Sequence, residues 1–188
     1  MAQGELTRLI NEWQAGKPGA EAALFDALYK ALHDIAIRCL RTERPGGSLG
    51  ATALVHEAYL RFRKSQRIEF VDRQHFLALA ARVMRRILVD RARARTAAIR
   101  AGERVPEFFA DLVVRDAQEA EQILAIDNAL EQLSSISPRQ GRLVELRYFA
   151  GYTMDEAAGI LGVSPRTAKR EWQIARTRLM GALDGTAE

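Results

Sequence analysis

The sequence predicts an all-α fold: two small helical domains joined by a flexible linker, the C-terminal one carrying a helix-turn-helix. Three observations predict it. Apolar residues recur at three- and four-residue spacing through most of the chain. No segment shows sustained apolar–polar alternation flanked by turn residues, so no sheet is expected. Between Ala97 and Gln122 the periodicity fades and the composition turns from arginine-rich to acidic, with Pro106, Glu107, Asp111, Asp116, Glu119 and Glu121. That stretch reads as a linker whose end merges into a helix. A chain of 188 residues fits two small domains, given a prior of ~150 residues for a large one. The division is then residues 1–96, a linker at 97–121, and 122–188.

In chain order, Leu6, Leu9, Ile10 and Trp13 outline a first short helix, closed near Gly16 and Pro18. A longer helix runs from about Ala20 to Arg41, with Leu24, Phe25, Leu28, Leu32, Ile35, Ala36 and Cys39 on one face. The run ERPGGSLG is a loop by its glycine and proline content. Thr52 is placed to cap a third helix, ATALVHEAYLRFRK, which groups Leu54, Val55, Ala58, Tyr59 and Phe62. His56, Glu57 and Arg61 stay outside as a mixed polar surface suited to docking. Gln66 to Gln74 breaks the pattern. Asp72 then caps a fourth helix reaching about Arg95, with Phe76, Leu79, Ala80, Val83 and Ile87 inward.

Beyond the linker, Ile123, Leu124, Ile126, Leu130 and Leu133 form an amphipathic helix, and Ser137 with Pro138 starts another carrying Leu143, Val144, Leu146 and Phe149. The most informative segment follows, from Thr153 to Arg178. Thr153 and Glu156 are spaced as a capping box, in which each side chain satisfies a backbone donor left free at a helix start. Ala157, Ala158, Ile160 and Leu161 supply an inner face. Gly162 permits a sharp reversal, Val163 plugs the turn, and Ser164 followed by Pro165 begins a second helix. Along it Ala168, Trp172, Ala175 and Leu179 form an apolar stripe, with Trp172 assigned to the core, while Arg166, Lys169, Arg170 and Gln173 fall on the opposite side. A helix exposing arginine, lysine and glutamine suits the major groove, where such groups bond guanine and adenine edges.

The net charge is only +4, but it is clustered. Arg82, Arg85, Arg86, Arg91, Arg93, Arg95, Arg100 and Arg104 are opposed by Asp90 and Glu103 alone, which makes the cluster a phosphate-binding candidate. Cys39 is the sole cysteine and sits among Ile35, Ala36 and Leu40, so a buried thiol is expected rather than a disulfide or a cysteine-based metal site. His33 and His75 belong to no metal constellation, and no metal or cofactor is expected. Glu57 and Asp90 lie on separate helices without the paired carboxylates of metal-assisted phosphoryl transfer, so no catalysis is expected. No apolar run approaches the ~20 residues that span a bilayer, and the start of the chain lacks the order of a secretion signal. A soluble, cytoplasmic protein is the expectation.

Three runs, LVHEAYLRF, FLALAARVMRRILVDRARAR and GYTMDEAAGILGVSPRTAKREWQIARTRL, occur in an order and with gaps that resemble a bacterial RNA polymerase sigma factor of the extracytoplasmic-function class. The resemblance covers nearly the whole chain. It implies a transcription initiation factor with core RNA polymerase and promoter DNA as partners, and leaves room for an anti-sigma factor. Carried over residue by residue, it assigns Leu54, Val55, His56, Glu57, Tyr59 and Leu60 to the helix that grips the largest-subunit clamp, with the flap as a further polymerase contact. It assigns Phe70, Asp72, Arg73, Arg82, Arg85 and Arg86 to recognition and opening of the proximal, minus-ten element. Arg166, Thr167, Lys169, Arg170 and Gln173 match the helix that reads the distal, minus-thirty-five element, with Arg176 on phosphate. The linker would thread toward the active-site channel.

Four residues depart from the family pattern. Ala53 stands where many relatives have an acidic residue, His56 where glutamine is usual, Leu79 where tryptophan is common and Arg86 where asparagine is frequent. The competing expectation is a stand-alone helix-turn-helix operator-binding regulator, whose N-terminal half would serve dimerisation or ligand sensing.

Overall fold

In the computed structural model, which describes residues 3–42, 49–64, 72–101 and 110–184, every regular element is helical. Helices α1 (Gln3–Gln14) and α2 (Ala20–Cys39) are separated by a turn in which Gly16 and Gly19 take φ of 72° and 81°. A 3₁₀ turn, Leu40–Thr42, closes α2. Helix α3 (Ala51–Lys64) starts with the Leu54 N–H on the Gly50 carbonyl at 3.0 Å. Thr52 therefore lies inside the first turn rather than capping it, and its hydroxyl meets that of Tyr29 at 3.5 Å. Helix α4 (Arg73–Arg100) is capped as expected, the Asp72 carboxylate accepting the His75 N–H at 2.7 Å. An aromatic cluster ties these four helices together: Trp13, Phe25, Phe62 and Phe76 stand with ring centroids 5.4–6.3 Å apart. Most of these pairs are edge-on, the arrangement the ring quadrupole favours.

The C-terminal half comprises α5 (Ala110–Ile136), α6 (Pro138–Val144), a π-helical segment Glu145–Ala150, α7 (Met154–Leu161) and α8 (Pro165–Asp184). Helix α4 passes the expected end at Arg95 because its last stretch, RARARTAAIR, is largely alanine and arginine, both good helix formers. Helix α5 begins at Ala110, so both ends of the stretch expected as a linker are helical. The centre of that stretch (102–109), Phe70 with its neighbours (65–71) and most of the glycine-rich loop (43–48) lie outside the described residues.

The two halves pack against each other. Helices α4 and α5 run antiparallel, Arg85 facing Asp127 and Arg95 facing Glu119. Between them Cys39, Leu88 and Val89 meet Ile123, Ile126 and Phe149, so one apolar core continues across the seam. Two polar ties cross as well. The Arg38 guanidinium donates to the Ala150 carbonyl at 3.2 Å, and the Tyr152 hydroxyl donates to the Gln74 carbonyl at 2.9 Å. Gly151, at φ 78°, lets the chain pass so close to Arg38 that a Cβ there would collide with the guanidinium.

Candidate nucleic-acid interface

The segment Thr153–Asp184 folds as two helices around a tight turn. At its start the Glu156 N–H donates to Thr153 Oγ1 at 3.2 Å, while Thr153 N–H donates to the Glu156 carboxylate at 2.8 Å, so both halves of the capping box form. These bonds, the backbone one first, hold the Glu156 carboxyl below its ordinary value. Gly162 takes φ 66°, a region open to glycine at little cost. The Val163 N–H returns to the Ala158 carbonyl at 3.0 Å, satisfying an acceptor that the helix end would leave free. Ser164 then caps α8, its hydroxyl accepting the Thr167 N–H at 3.2 Å.

One side of α8 is fixed. Ala168 and Ala175 are fully buried, and between them on the same stripe lies Glu171, also buried. Its carboxylate accepts from Gln140 Nε2 at 2.6 Å and from Arg139 at 2.9 Å, while Arg178 donates to Gln140 Oε1 at 2.9 Å. Helix α6 thus sets the rotation of α8 through a satisfied polar network, and the hydrogen bond from Gln140 holds the Glu171 carboxyl below the usual range. Trp172 sits at the edge of the core, half-buried, with the Arg147 guanidinium 5.8 Å from its ring centroid. The opposite side of α8 presents Arg166, Lys169, Arg170, Gln173 and Arg176 to solvent. Thr167 is half-buried, its hydroxyl 2.9 Å from that of Ser164.

A second group lies on α4, where Arg73 and Arg86 are exposed. Arg82 and Arg85 are engaged instead. Arg82 donates to Glu145 through two nitrogens, at 2.9 and 3.2 Å. Arg85, half-buried, reaches Asp127 at 2.6 Å and Glu145 at 3.4 Å, with its guanidinium 5.9 Å from the Phe149 ring centroid. Asp127 also takes a bond from Arg93 at 3.4 Å and is only 5% exposed. Burial pushes its carboxyl above the ordinary aspartate value, and Arg85 and Arg93 pull it back in part. Asp72, used in the cap of α4, is not free to make other bonds through the same lone pair.

The ECF sigma factor family model matches residues 3–185. The chain belongs to that family. It is therefore a transcription initiation factor that binds core RNA polymerase and promoter DNA, and the family is not one of enzymes. No curated protein matches the chain. Among the described residues, no helix of this sigma factor is long and apolar enough to cross a membrane.

In the sigma factor, α3 divides the residues expected to grip the polymerase. Leu54 and Val55 are core, at 0% and 1% exposure, because they fall on the face that packs against α2 and α4. Tyr59 is half-buried against Phe25, ring centroids 4.8 Å apart. His56 and Leu60 are exposed, and Glu57 lies between Arg91 at 3.5 Å and Arg61 at 4.0 Å. Arg61 also pairs with Asp90 at 2.8 Å, so Glu57 and Asp90 serve one structural ion network.

Three carboxylates central to this arrangement, Asp127, Glu145 and Glu171, were not singled out from sequence. A signal was present for two of them. Asp127 lies four residues after Ile123 and three before Leu130, and Glu171 three after Ala168 and four before Ala175. Each is a charge on an inward stripe, where burial demands a partner.

Proposed function

We propose that this sigma factor directs core polymerase to promoters by reading two elements with separate helices. Arg166, Lys169, Arg170 and Gln173 on α8 read base edges of the distal, minus-thirty-five element, with Thr167 and Arg176 positioning the helix on the backbone. Phe70, Asp72 and Arg73, together with the arginines Arg82, Arg85 and Arg86 of α4, serve the proximal, minus-ten element. There they hold a base out of the stack and bind the displaced strand. Removing a base from the stack costs a few kcal/mol, which stacking and cation–phosphate contacts must return. His56, Glu57 and Leu60, with the half-buried Tyr59, dock on the largest-subunit clamp, and Leu54 and Val55 support them from the core. The C-terminal half docks on the flap.

The observation that carries this reading is the division of α8. Its inner face is locked by Glu171, Gln140 and Arg139, and its outer face is a row of groups that bond base edges. Rigid presentation of such a row is what direct readout requires. In vitro transcription with core polymerase, followed by transcript sequencing, tests it. The Arg170→Ala factor should start from an altered set of promoters. An unchanged start-site profile, or tight sequence-specific binding by the isolated protein without polymerase, would overturn it.

A further inference from the structure

Ile174 is a large apolar side chain left 38% exposed in the middle of α8. It follows Arg170 by four residues, so the two lie on one side of the helix, the side that the proposed function places in the groove. From Arg166 to Ile174 the helix advances about 12 Å along its axis, comparable to a major groove about 12 Å wide. Polar neighbours on the same side are already engaged within the protein. Thr177, three residues on, donates its hydroxyl to the Gln173 carbonyl at 3.2 Å, and Arg178, four on, donates to Gln140 Oε1 at 2.9 Å. The bonds of Glu171 to Gln140 and Arg139 fix the rotation of α8, and with it the direction of this apolar spot. Isolated apolar residues are common on protein surfaces. On a groove-facing helix such a residue has a specific counterpart, because the C5-methyl of thymine is the apolar group that base edges show in the major groove.

We infer that Ile174 reads a thymine of the distal element by packing against its C5-methyl, and that this contact selects thymine over cytosine at one position. A β-branched side chain holds one strongly preferred χ1 rotamer in a helix, so little freedom is lost when it seats against a base. Isoleucine offers no hydrogen-bond partner. Cytosine in the same place presents its N4 amine instead of a methyl, and that donor loses water without gaining an acceptor. Selection therefore combines an apolar gain for thymine with a desolvation penalty for cytosine. The inference rests on the reading of α8 as the distal-element helix, and it adds to the hydrogen bonds of Arg166, Lys169, Arg170 and Gln173 a contact of different chemistry.

The test uses the holoenzyme, full-length factor with core polymerase, and promoter duplexes carrying the distal element that transcript sequencing defines. Each thymine of that element, on either strand, is replaced in turn by deoxyuridine, which lacks only the methyl. At one position wild-type holoenzyme should bind roughly fourfold more weakly, equivalent to about 0.8 kcal/mol for one buried methyl-sized group. Replacing the same thymine·adenine pair by cytosine·guanine should weaken binding further, and 5-methylcytosine in place of that cytosine should recover part of the loss. The Ile174→Ala holoenzyme should bind the thymine and deoxyuridine duplexes equally well at that position. Ile174→Val, which keeps the branch and removes one methyl, should retain a smaller preference for thymine.

Pairing the DNA change with the protein change forms a double-mutant cycle, whose coupling isolates the contact between the methyl and the side chain. Both variants should melt within a few degrees of the wild-type factor, since Ile174 is exposed. A distal element in which no deoxyuridine replacement weakens the wild type overturns the inference. So does a deoxyuridine effect of equal size in the Ile174→Ala holoenzyme, the result expected of a residue that only shields Glu171 from water. If instead Arg170→Ala leaves every base preference of the distal element unchanged, the reading of α8 as the distal-element helix fails.

Discussion

The carboxylate of Glu171 and the side-chain amide of Gln140 meet at 2.6 Å in the buried seam between α8 and α6. Arg139 and Arg178 complete the set, each reaching one of the two residues at 2.9 Å. An unpaired buried polar group costs far more than the bond it could have made gains, which makes this seam sensitive to the loss of either buried member, Glu171 or Gln140. Glu171→Ala strands the buried Gln140 amide, while the exposed Arg139 guanidinium turns to water. Urea unfolding should show a loss of ~1–3 kcal/mol, with weaker promoter binding by the holoenzyme because the pitch of α8 is released. An unchanged unfolding midpoint would show that the network merely decorates the seam.

The same residue governs a response to acid. The hydrogen bond from Gln140, then the hydrogen bond and charge of Arg139, hold the Glu171 carboxyl below the ordinary glutamate value of 4.5, and Thr153 does the same for Glu156. A carboxyl whose folded-state value is depressed contributes stability that is present above its unfolded value and is lost as pH falls through the folded one. Melting temperature should therefore decline as the pH is taken below 4.5, and the decline should be shallower in Glu171→Gln. A melting curve that is flat with pH in the wild-type protein contradicts the assignment.

On the outer face of α8, Arg170 and Arg176 should behave differently although both are exposed. On the proposed reading, Arg170→Ala removes a base-edge contact and should cost ~1–3 kcal/mol at one or two base pairs while leaving others unchanged. Arg176→Ala, on the same reading, removes a phosphate contact, so holoenzyme binding should weaken uniformly across promoters and its salt slope should fall by about one. Binding measured on a set of point-mutant promoters at several salt concentrations separates the two. Identical promoter profiles for both variants would refute the division of roles.

Helix α3 offers a comparison between neighbouring leucine positions. Leu60 is 51% exposed and Leu54 is fully buried. Leu60→Asp should weaken co-elution with core polymerase and leave the melting temperature within a few degrees, since surface substitutions seldom exceed about 0.5 kcal/mol. Leu54→Asp should instead unfold the N-terminal half, because it buries a charge without a partner. Intact holoenzyme assembly by the Leu60→Asp protein would remove α3 from the docking surface.

Much of this was legible in the linear order of residues because it depends on local chemistry. The capping box of Thr153 and Glu156, the caps at Asp72, Ser137 and Ser164, and the reversal at Gly162 need only residues three or four apart, and all formed as read. The outward row on α8 follows from the same periodicity. Other features depend on partners distant in the chain. Leu54 and Val55 suit an apolar docking site as well as a core, and the choice between them rests on packing against α2 and α4.

Fold class and family were thus contained in the sequence alone, since hydrophobic period and capping residues act within one or two turns of helix. The arginine cluster of α4 was equally visible there as a concentration of charge. That two of its members face Asp127 and Glu145 depends on contacts 42 to 63 residues apart along the chain. Pairing at that range is set by how the two halves pack. No periodicity of either segment encodes it, and the folded arrangement alone turned an apparently open cationic face into a partly occupied one.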